Sequence, residues 1–330
     1  MTRLNITLAT GYYDRVLPLR LGEIEADGIE LNHLLMPVEN ALWRMVRHQE
    51  FDAAEMSLGA YVTLVGSGNS PFVAIPVFLS RLFRHSGVFI NKHAGISSFE
   101  DLRGKTVGIP QYAMTAVIWM RGILHNEHGV SPEEIRWIQG GLNEPGGGEK
   151  IEFTYPSGVR VDSAPTDANL SDMLERGEIV ALFCARAPNA FIKGSPEVVR
   201  LFPNYKEVEQ AYYRKTKIFP IMHTVVIKKS LYQEHAWVAR SLYDAFSRAR
   251  QQTYERMCNI TSALPVMLPW LMAEVEDELS FFEDDFWPYG IEANRITLET
   301  FTQYAHQQGL TSYQVEVDSL FTPNTSDVEE

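Results

Sequence analysis

Cysteine is scarce in this chain, with Cys184 and Cys258 the two thiols in 330 residues. Two thiols build neither a disulfide framework nor a four-cysteine zinc site. Both lie in apolar neighbourhoods, where a buried free thiol is the expectation. Long apolar runs are missing too. Nothing approaches the roughly 18 consecutive apolar residues that a membrane span requires. No apolar leader with a small-residue cleavage site precedes the alternating start Met1-Thr2-Arg3-Leu4-Asn5-Ile6-Thr7-Leu8, so a cytoplasmic protein is expected. Basic residues almost vanish near the end: residues 257–330 hold 14 acids against Arg295 alone. Removing those from totals of 42 acidic and 29 basic residues leaves 28 of each sign, so the net charge of −13 is a C-terminal property. A nucleic-acid partner needs a basic stripe, which this balance excludes. The clusters Glu274-Val275-Glu276-Asp277-Glu278 and Glu283-Asp284-Asp285 read as solvated helix faces rather than metal ligands. A phosphate-cradling loop is absent as well. Gly146-Gly147-Gly148 follows Pro145 outside any strand-to-helix frame and reads as a turn.

What is present suits a globular chain of two domains, at about twice the ~150-residue norm and with 45% hydrophobic and 22% charged residues. Residues 4–10 alternate as a strand and end at Gly11-Tyr12-Tyr13-Asp14. Residues 28–34 and 51–57 read as further strands, and 40–48 carry apolar residues at helical spacing. The run 72–78 is continuously apolar, as in a strand covered on both faces of an α/β sheet. Ser98 opens a short capped turn that ends at Gly104, and strands follow at 106–110, 179–184 and 223–227. Helices are expected at 114–124, 171–176 and 236–257. Alternation at this pitch predicts βαβ units and a largely parallel sheet.

The segment Ser98-Phe99-Glu100-Asp101-Leu102-Arg103-Gly104-Lys105-Thr106-Val107-Gly108-Ile109-Pro110 resembles the second-lobe entry of type II periplasmic-binding-protein folds. The resemblance implies a two-lobe α/β fold with a ligand cleft between the lobes. Residues 1–95 plus 222–330 would form lobe one, and residues 96–221 an inserted lobe two. A narrower resemblance runs from about residue 3 to 315. Phe51-Asp52-Ala53-Ala54-Glu55-Met56-Ser57, Ile75-Pro76-Val77-Phe78, Arg81-Leu82-Phe83-Arg84-His85-Ser86, Trp119-Met120-Arg121-Gly122-Ile123-Leu124, Gly140-Gly141-Leu142 and Trp287-Pro288-Tyr289-Gly290 are similar to the 4,5-dihydroxyphthalate decarboxylase family. Val180, where an Asp is usual, departs from the pattern. The resemblance implies conversion of 4,5-dihydroxyphthalate to protocatechuate and carbon dioxide.

Such a site needs cations for carboxylates, an acid for the ring carbon and a partner for the phenols, with no cofactor required in principle. Arg81, Arg84 and His85 form the densest basic cluster and follow a buried strand where an α/β cleft opens. Arginine forks pair with carboxylates, and His85 is the expected proton carrier. Glu55 is expected to orient His85 or accept a phenolic proton, with an ion pair to one of the arginines as the plain alternative. His223, at the returning crossover, is the reserve acid. Ser57 ends a strand on the cleft side, and Tyr112 and Thr115 begin a helix whose amides suit an anion. Asp14 and Arg15 form a contact loop, Arg186 reaches across from lobe two, and Trp287 and Tyr289 are candidate covers. No metal is expected, because no close ligand spacing supports one. The expected partner is a small aromatic dicarboxylate, and the subunit number stays open, a homo-oligomer included. Two other readings remain on the sequence: a non-catalytic solute receptor, and a cofactor-precursor enzyme on the same fold.

Overall fold

The computed structural model describes residues 2–149, 151, 153–259, 263–282 and 285–325. Glu283 and Asp284 of the second acidic cluster therefore lie outside the described residues. In the first cluster, Glu274, Glu276 and Asp277 are exposed on the helix Leu271–Phe282 while Val275 is buried, which is a solvated helix face.

The strands are β1 (Leu4–Thr10), β2 (Ile29–Leu35), β3 (Ala53–Ser57), β4 (Phe72–Arg81), β5 (Val88–Asn91), β6 (Thr106–Ile109), β7 (Arg136–Gln139), β8 (Arg160–Ser163), β9 (Ala181–Phe183), β10 (Val198–Arg200) and β11 (Ile221–Lys228). They form two sheets, ordered β2-β1-β3-β11-β4 and β10-β5-β9-β6-β7-β8. In the first, β1 runs parallel to β2 and β3, and β11 is antiparallel to β3 and β4. In the second, β6 is parallel to β7 and β9, and β5 is antiparallel to β9 and β10. This is the two-lobe α/β architecture of type II periplasmic binding proteins. One strand sits differently from expectation. The sequence reading put residues 88–91 in lobe one, yet β5 pairs within the second sheet. Pairing between strands far apart in sequence decides membership, and local pattern cannot reveal it.

The first sheet is apolar for the reason the pattern gave: six consecutive residues of β4, Ala74 to Leu79, are fully buried. Helices on both faces demand apolar residues at odd and even positions alike. Two crossings join the lobes, one after β4 and one before β11, and they lie side by side, with Leu82 N–H donating to Pro220 O at 3.1 Å. The lobes meet closely where the helix Leu58–Gly66 faces the start of the helix Thr115–His128. Gly59 permits this approach, because a Cβ there would stand 2.9 Å from Ala113 O and 2.7 Å from Ile118 Cδ1. The closing segment then clamps lobe two from outside. Gln308 donates to Ile118 O at 2.9 Å and accepts from the buried Arg121 at 2.8 Å.

Among the described residues, no helix is long and apolar enough to cross a membrane.

Candidate active site

The end of β3 supplies the first elements of the site. Glu55 interrupts the buried run Ala53-Ala54-Glu55-Met56 and is fully buried itself. An isolated carboxylate there would be untenable, so partners must exist. In the antiparallel register His223 faces Ser57 and Val225 faces Glu55, which sets Glu55 and His223 diagonally on one face. Long side chains bridge such a diagonal. His223 Nδ1 lies 2.6 Å from Glu55 Oε1, Tyr13 O–H donates to the same oxygen at 2.7 Å, and Gly11 N–H donates to Oε2 at 2.8 Å. Burial alone would raise the Glu55 pKa. The hydrogen bond and charge of His223, with the Gly11 and Tyr13 donors, outweigh it and hold the group below its ordinary value. An ionised Glu55 only accepts, so Nδ1 carries the ring proton, and Nε2 has no protein hydrogen-bond partner among the described residues. Tyr13 is locked in turn. Burial, then the Glu55 charge, pushes its pKa upward, so it stays a phenol that donates.

His223 lines an open cleft between the lobes together with Glu39, Leu42, Ser57, Arg84, Gln111 and Met222. Ala113, Met114, Thr115, Glu149 and Ala185 complete the wall from lobe two, and an outer extension runs past Gly140, Gly141 and Arg186. Ser57 Oγ and Thr115 Oγ1 are 2.8 Å apart, each at or next to a helix start, and Thr115 Oγ1 also accepts from Gly59 N–H at 2.9 Å. Two hydroxyls and two helix N-termini therefore converge on the cleft, a setting that favours an anion.

Arg84 supplies its charge. The residue is 5% exposed, its Nε lies 3.0 Å from Met222 Sδ, and no carboxylate is within ion-pair distance among the described residues. Burial lowers its pKa to about 10, with Cys184 and Glu209 opposing the shift, so it remains a cation at neutral pH. A buried cation without an acid partner costs stability. A carboxylate arriving in the cleft would relieve that cost.

The rest of the expected cluster points elsewhere. Arg81 is buried, donates to Pro288 O at 2.6 Å and to Asn294 Oδ1, and does not line the cleft. Burial lowers its pKa to about 9. It fastens the segment around residues 288–294 to the sheet and is not a substrate clamp by this geometry. His85 is 3% exposed and packs among Tyr212, Phe202 and Phe99, with ring centroids 5.3, 5.7 and 6.3 Å away. Burial lowers its pKa to about 4, so it is a neutral ring apart from the Glu55–His223 pair. Arg81 still belongs to β4, whereas Arg84 and His85 lie in the crossing that follows it, and of the three Arg84 alone lines the cleft.

Arg15 is held between the rings of Tyr13 and Trp287, 4.3 Å from each centroid, and its Nε donates to Leu79 O at 2.9 Å. It braces Tyr13 and does not line the cleft, and Asp14 beside it is exposed. Trp287 donates to Phe78 O at 2.9 Å and Tyr289 is 1% exposed, so both belong to the packing under Arg81. Tyr112 is stacked under Arg121, 3.4 Å from guanidinium carbon to ring centroid, and contributes its backbone N–H, not its ring. Arg186 stands at the rim, 3.7 Å from Glu39 of the opposite lobe. Sequence reasoning missed Gln111, Met222 and Glu149 as wall residues. Met222 was signalled by its place beside His223, whereas Glu149 acts through main-chain donors that leave no mark in a sequence.

Among the described residues no group of three His, Cys, Asp or Glu side chains is placed to hold a metal ion.

Comparison with known proteins follows the same lines. No family profile matches the chain. It is 36% identical over 323 residues to 4,5-dihydroxyphthalate decarboxylase of Comamonas testosteroni, covering 98% of both chains. A Pseudomonas putida protein of the same name is 39% identical over 214 residues, which is 65% of this chain and 83% of that one. Among solved structures, the periplasmic aliphatic sulphonate binding protein SsuA of Escherichia coli superimposes with a TM-score of 0.55 at 10% identity, covering 98% of this chain and 99% of the other. That likeness shows the fold alone. With carboxy-lyases as homologues, one of them matched along 98% of both chains, the chain belongs to the 4,5-dihydroxyphthalate decarboxylase family.

Proposed function

We propose that this protein decarboxylates 4,5-dihydroxyphthalate to protocatechuate and carbon dioxide. The observation that carries the reading is one cleft holding both a buried guanidinium with no acid in ion-pair distance among the described residues, Arg84, and a histidine, His223, backed by the fully buried Glu55. Family membership supplies the substrate class.

The substrate bears two ortho carboxylates, each para to a phenolic oxygen. In this reading Arg84 receives the carboxylate that stays, assisted by the Ser57 and Thr115 hydroxyls. Electron density from the para oxygen flows into the ring at the carbon bearing the departing carboxylate. His223, protonated on Nε2, gives its proton to that carbon, and the new C–H bond uses a ring electron pair. The bond to the carboxylate then breaks, its electrons restore the aromatic ring, and carbon dioxide leaves. One proton from solvent reloads Nε2, so each turnover takes up one proton per carbon dioxide released. Glu55 keeps Nδ1 protonated and offsets the positive charge of the loaded ring, a positioning role that also aims Nε2. Tyr13 and Gly11 hold Glu55 in place. Apolar Leu42, Met114, Ile151 and Met222 on the wall limit the access of bulk water to the reacting carbon.

We place the enzyme in the cytoplasm as part of the same reading, with fractionation of producing cells as its test. A homo-oligomer is likewise open to light scattering. The deciding experiment incubates purified protein with 4,5-dihydroxyphthalate and follows carbon dioxide and protocatechuate, alongside His223→Gln. Turnover in the parent, lost in the variant, supports the reading. A parent that binds the diacid and releases no carbon dioxide favours the solute-receptor reading.

A further inference from the structure

The cleft that should attract a diacid already contains a carboxylate of its own. Glu149 accepts hydrogen bonds from the backbone N–H of Tyr112 and, at 3.2 Å, from that of Ala113. Both amides lie just ahead of the 14-residue helix Thr115–His128, where free N–H groups and the helix dipole favour negative charge. A second, independent feature of the same cleft points to an anionic ligand: the nine-tenths-buried Arg84, with no acid within ion-pair distance among the described residues. Glu39, by contrast, faces Arg186, and Glu55 is bound to His223. Glu149 thus occupies the seat a second substrate carboxylate would want. It is carried on Pro145-Gly146-Gly147-Gly148, where Gly146 and Gly147 have φ of 101° and 92°, conformations that suit glycine. Gln111 Nε2 donates to Gly148 O at 2.5 Å, and Arg47 of lobe one reaches Glu149 O at 3.4 Å.

We propose that Glu149 is a resident surrogate for a substrate carboxylate: it holds the Tyr112–Ala113 amide seat in the free protein and yields it to the second carboxylate of an aromatic 1,2-diacid. The inference rests on the preceding assignment of Arg84 to the first carboxylate. A diacid exchanges one carboxylate for another at the amides. A monoacid satisfied by Arg84 leaves Glu149 in place and gains nothing there. Glu149 therefore sets both the affinity threshold and the preference for two adjacent carboxylates.

The test is calorimetric titration of the parent, Glu149→Gln and Glu149→Ala with phthalate, which has both carboxylates and no phenols, and with benzoate, which has one carboxylate. Emptying the seat should tighten phthalate by about tenfold in the Ala variant, the factor for one charge-assisted hydrogen bond. The Gln variant should gain less, since its amide oxygen still accepts one N–H, and benzoate should change by less than about threefold. Equal gains for both ligands would mean general repulsion and would overturn the seat. So would phthalate affinity that is unchanged, weaker or undetectable in all three proteins. Gln keeps the side chain's volume, which guards against an Ala variant that fails to fold. Turnover of 4,5-dihydroxyphthalate by the parent is scored separately. If the parent releases no carbon dioxide while phthalate tightens, the reaction falls and the seat stands; the reverse pattern removes the seat and leaves the reaction.

Discussion

Replacing Glu55 by Gln is the sharpest probe of the proposed acid. The change preserves volume and removes a charge from a site that accepts three hydrogen bonds, at 2.6 Å from His223, 2.7 Å from Tyr13 and 2.8 Å from Gly11. The amide offers one accepting oxygen, and its –NH2 group faces groups that were donors. One or two charge-assisted bonds are lost, at ~1.5–3 kcal/mol each. Stability should therefore fall by about 2–4 kcal/mol, a drop in Tm of roughly 5 °C or more. With no carboxylate to fix the Nδ1 proton, kcat at saturating substrate should fall by ~10²-fold or more. Acid gives an independent check. The folded-state pKa of Glu55 is depressed, so its contribution to stability is complete above the unfolded value near 4.5 and disappears as pH falls through the folded value. The stability gap between parent and variant, read from denaturant titrations, should be widest at neutral pH and close on strong acidification. Full turnover in the variant, or a gap indifferent to acid, would refute the Glu55–His223 assignment.

Other outcomes follow from the same geometry. Arg84→Met should raise KM by about 10- to 100-fold, the range for a lost charge-assisted bond. It should leave Tm equal or higher, because an unpaired buried cation is removed; an unchanged KM would end the clamp role. Arg81→Met should do the reverse, lowering Tm by stranding Asn294 Oδ1 and removing one of the two donors to Pro288 O while KM stays within about threefold. A large KM effect without a Tm effect would return Arg81 to the cleft. His85→Phe addresses pH. The folded pKa lies near 4 against 6.5 unperturbed, so the parent loses stability as pH falls from about 6.5 toward 4, by on the order of 3 kcal/mol. The Phe variant should lack that portion of the slope in chemical denaturation, and its kcat should stay within a few-fold of the parent. A collapse of kcat in a well-folded variant would reinstate His85 as the acid.

The sequence was readable where burial is local. The apolar block of β4 and the alternation of β1 follow from sheet coverage, and pattern alone located both. Short strands left no such signature: β8 is mostly exposed along Arg160–Ser163, and β10 has three residues. At the site, Glu55 and His223 are both legible as candidates because each lies near a strand end on the cleft side, but the sequence pairs Glu55 with His85, whereas the diagonal register brings it to His223. What sequence could not rank was distance. Arg81, Arg84 and His85 lie within five positions, yet one anchors a loop, one faces the cleft and one is sealed among aromatics. Adjacency along a chain that is leaving a strand says little about shared direction. Glu149 escaped notice for a different reason, since its partners are main-chain amides.

The order β2-β1-β3-β11-β4 also has a consequence for how the chain is made. The strand inserted between β3 and β4 is the one synthesised after all the others in either sheet, ending at Lys228. Until it arrives, β4 has no strand beside it in its sheet, and one edge of β3 stands open. The second sheet, by contrast, draws every strand from residues 88–200 and can close earlier on the ribosome. Such long-range pairing is slow and exposes apolar edges while it waits. A nascent chain arrested before Ile221 would carry all strands of the second sheet beside a half-built, apolar-edged first sheet, which makes that stage the natural point for chaperone capture or aggregation.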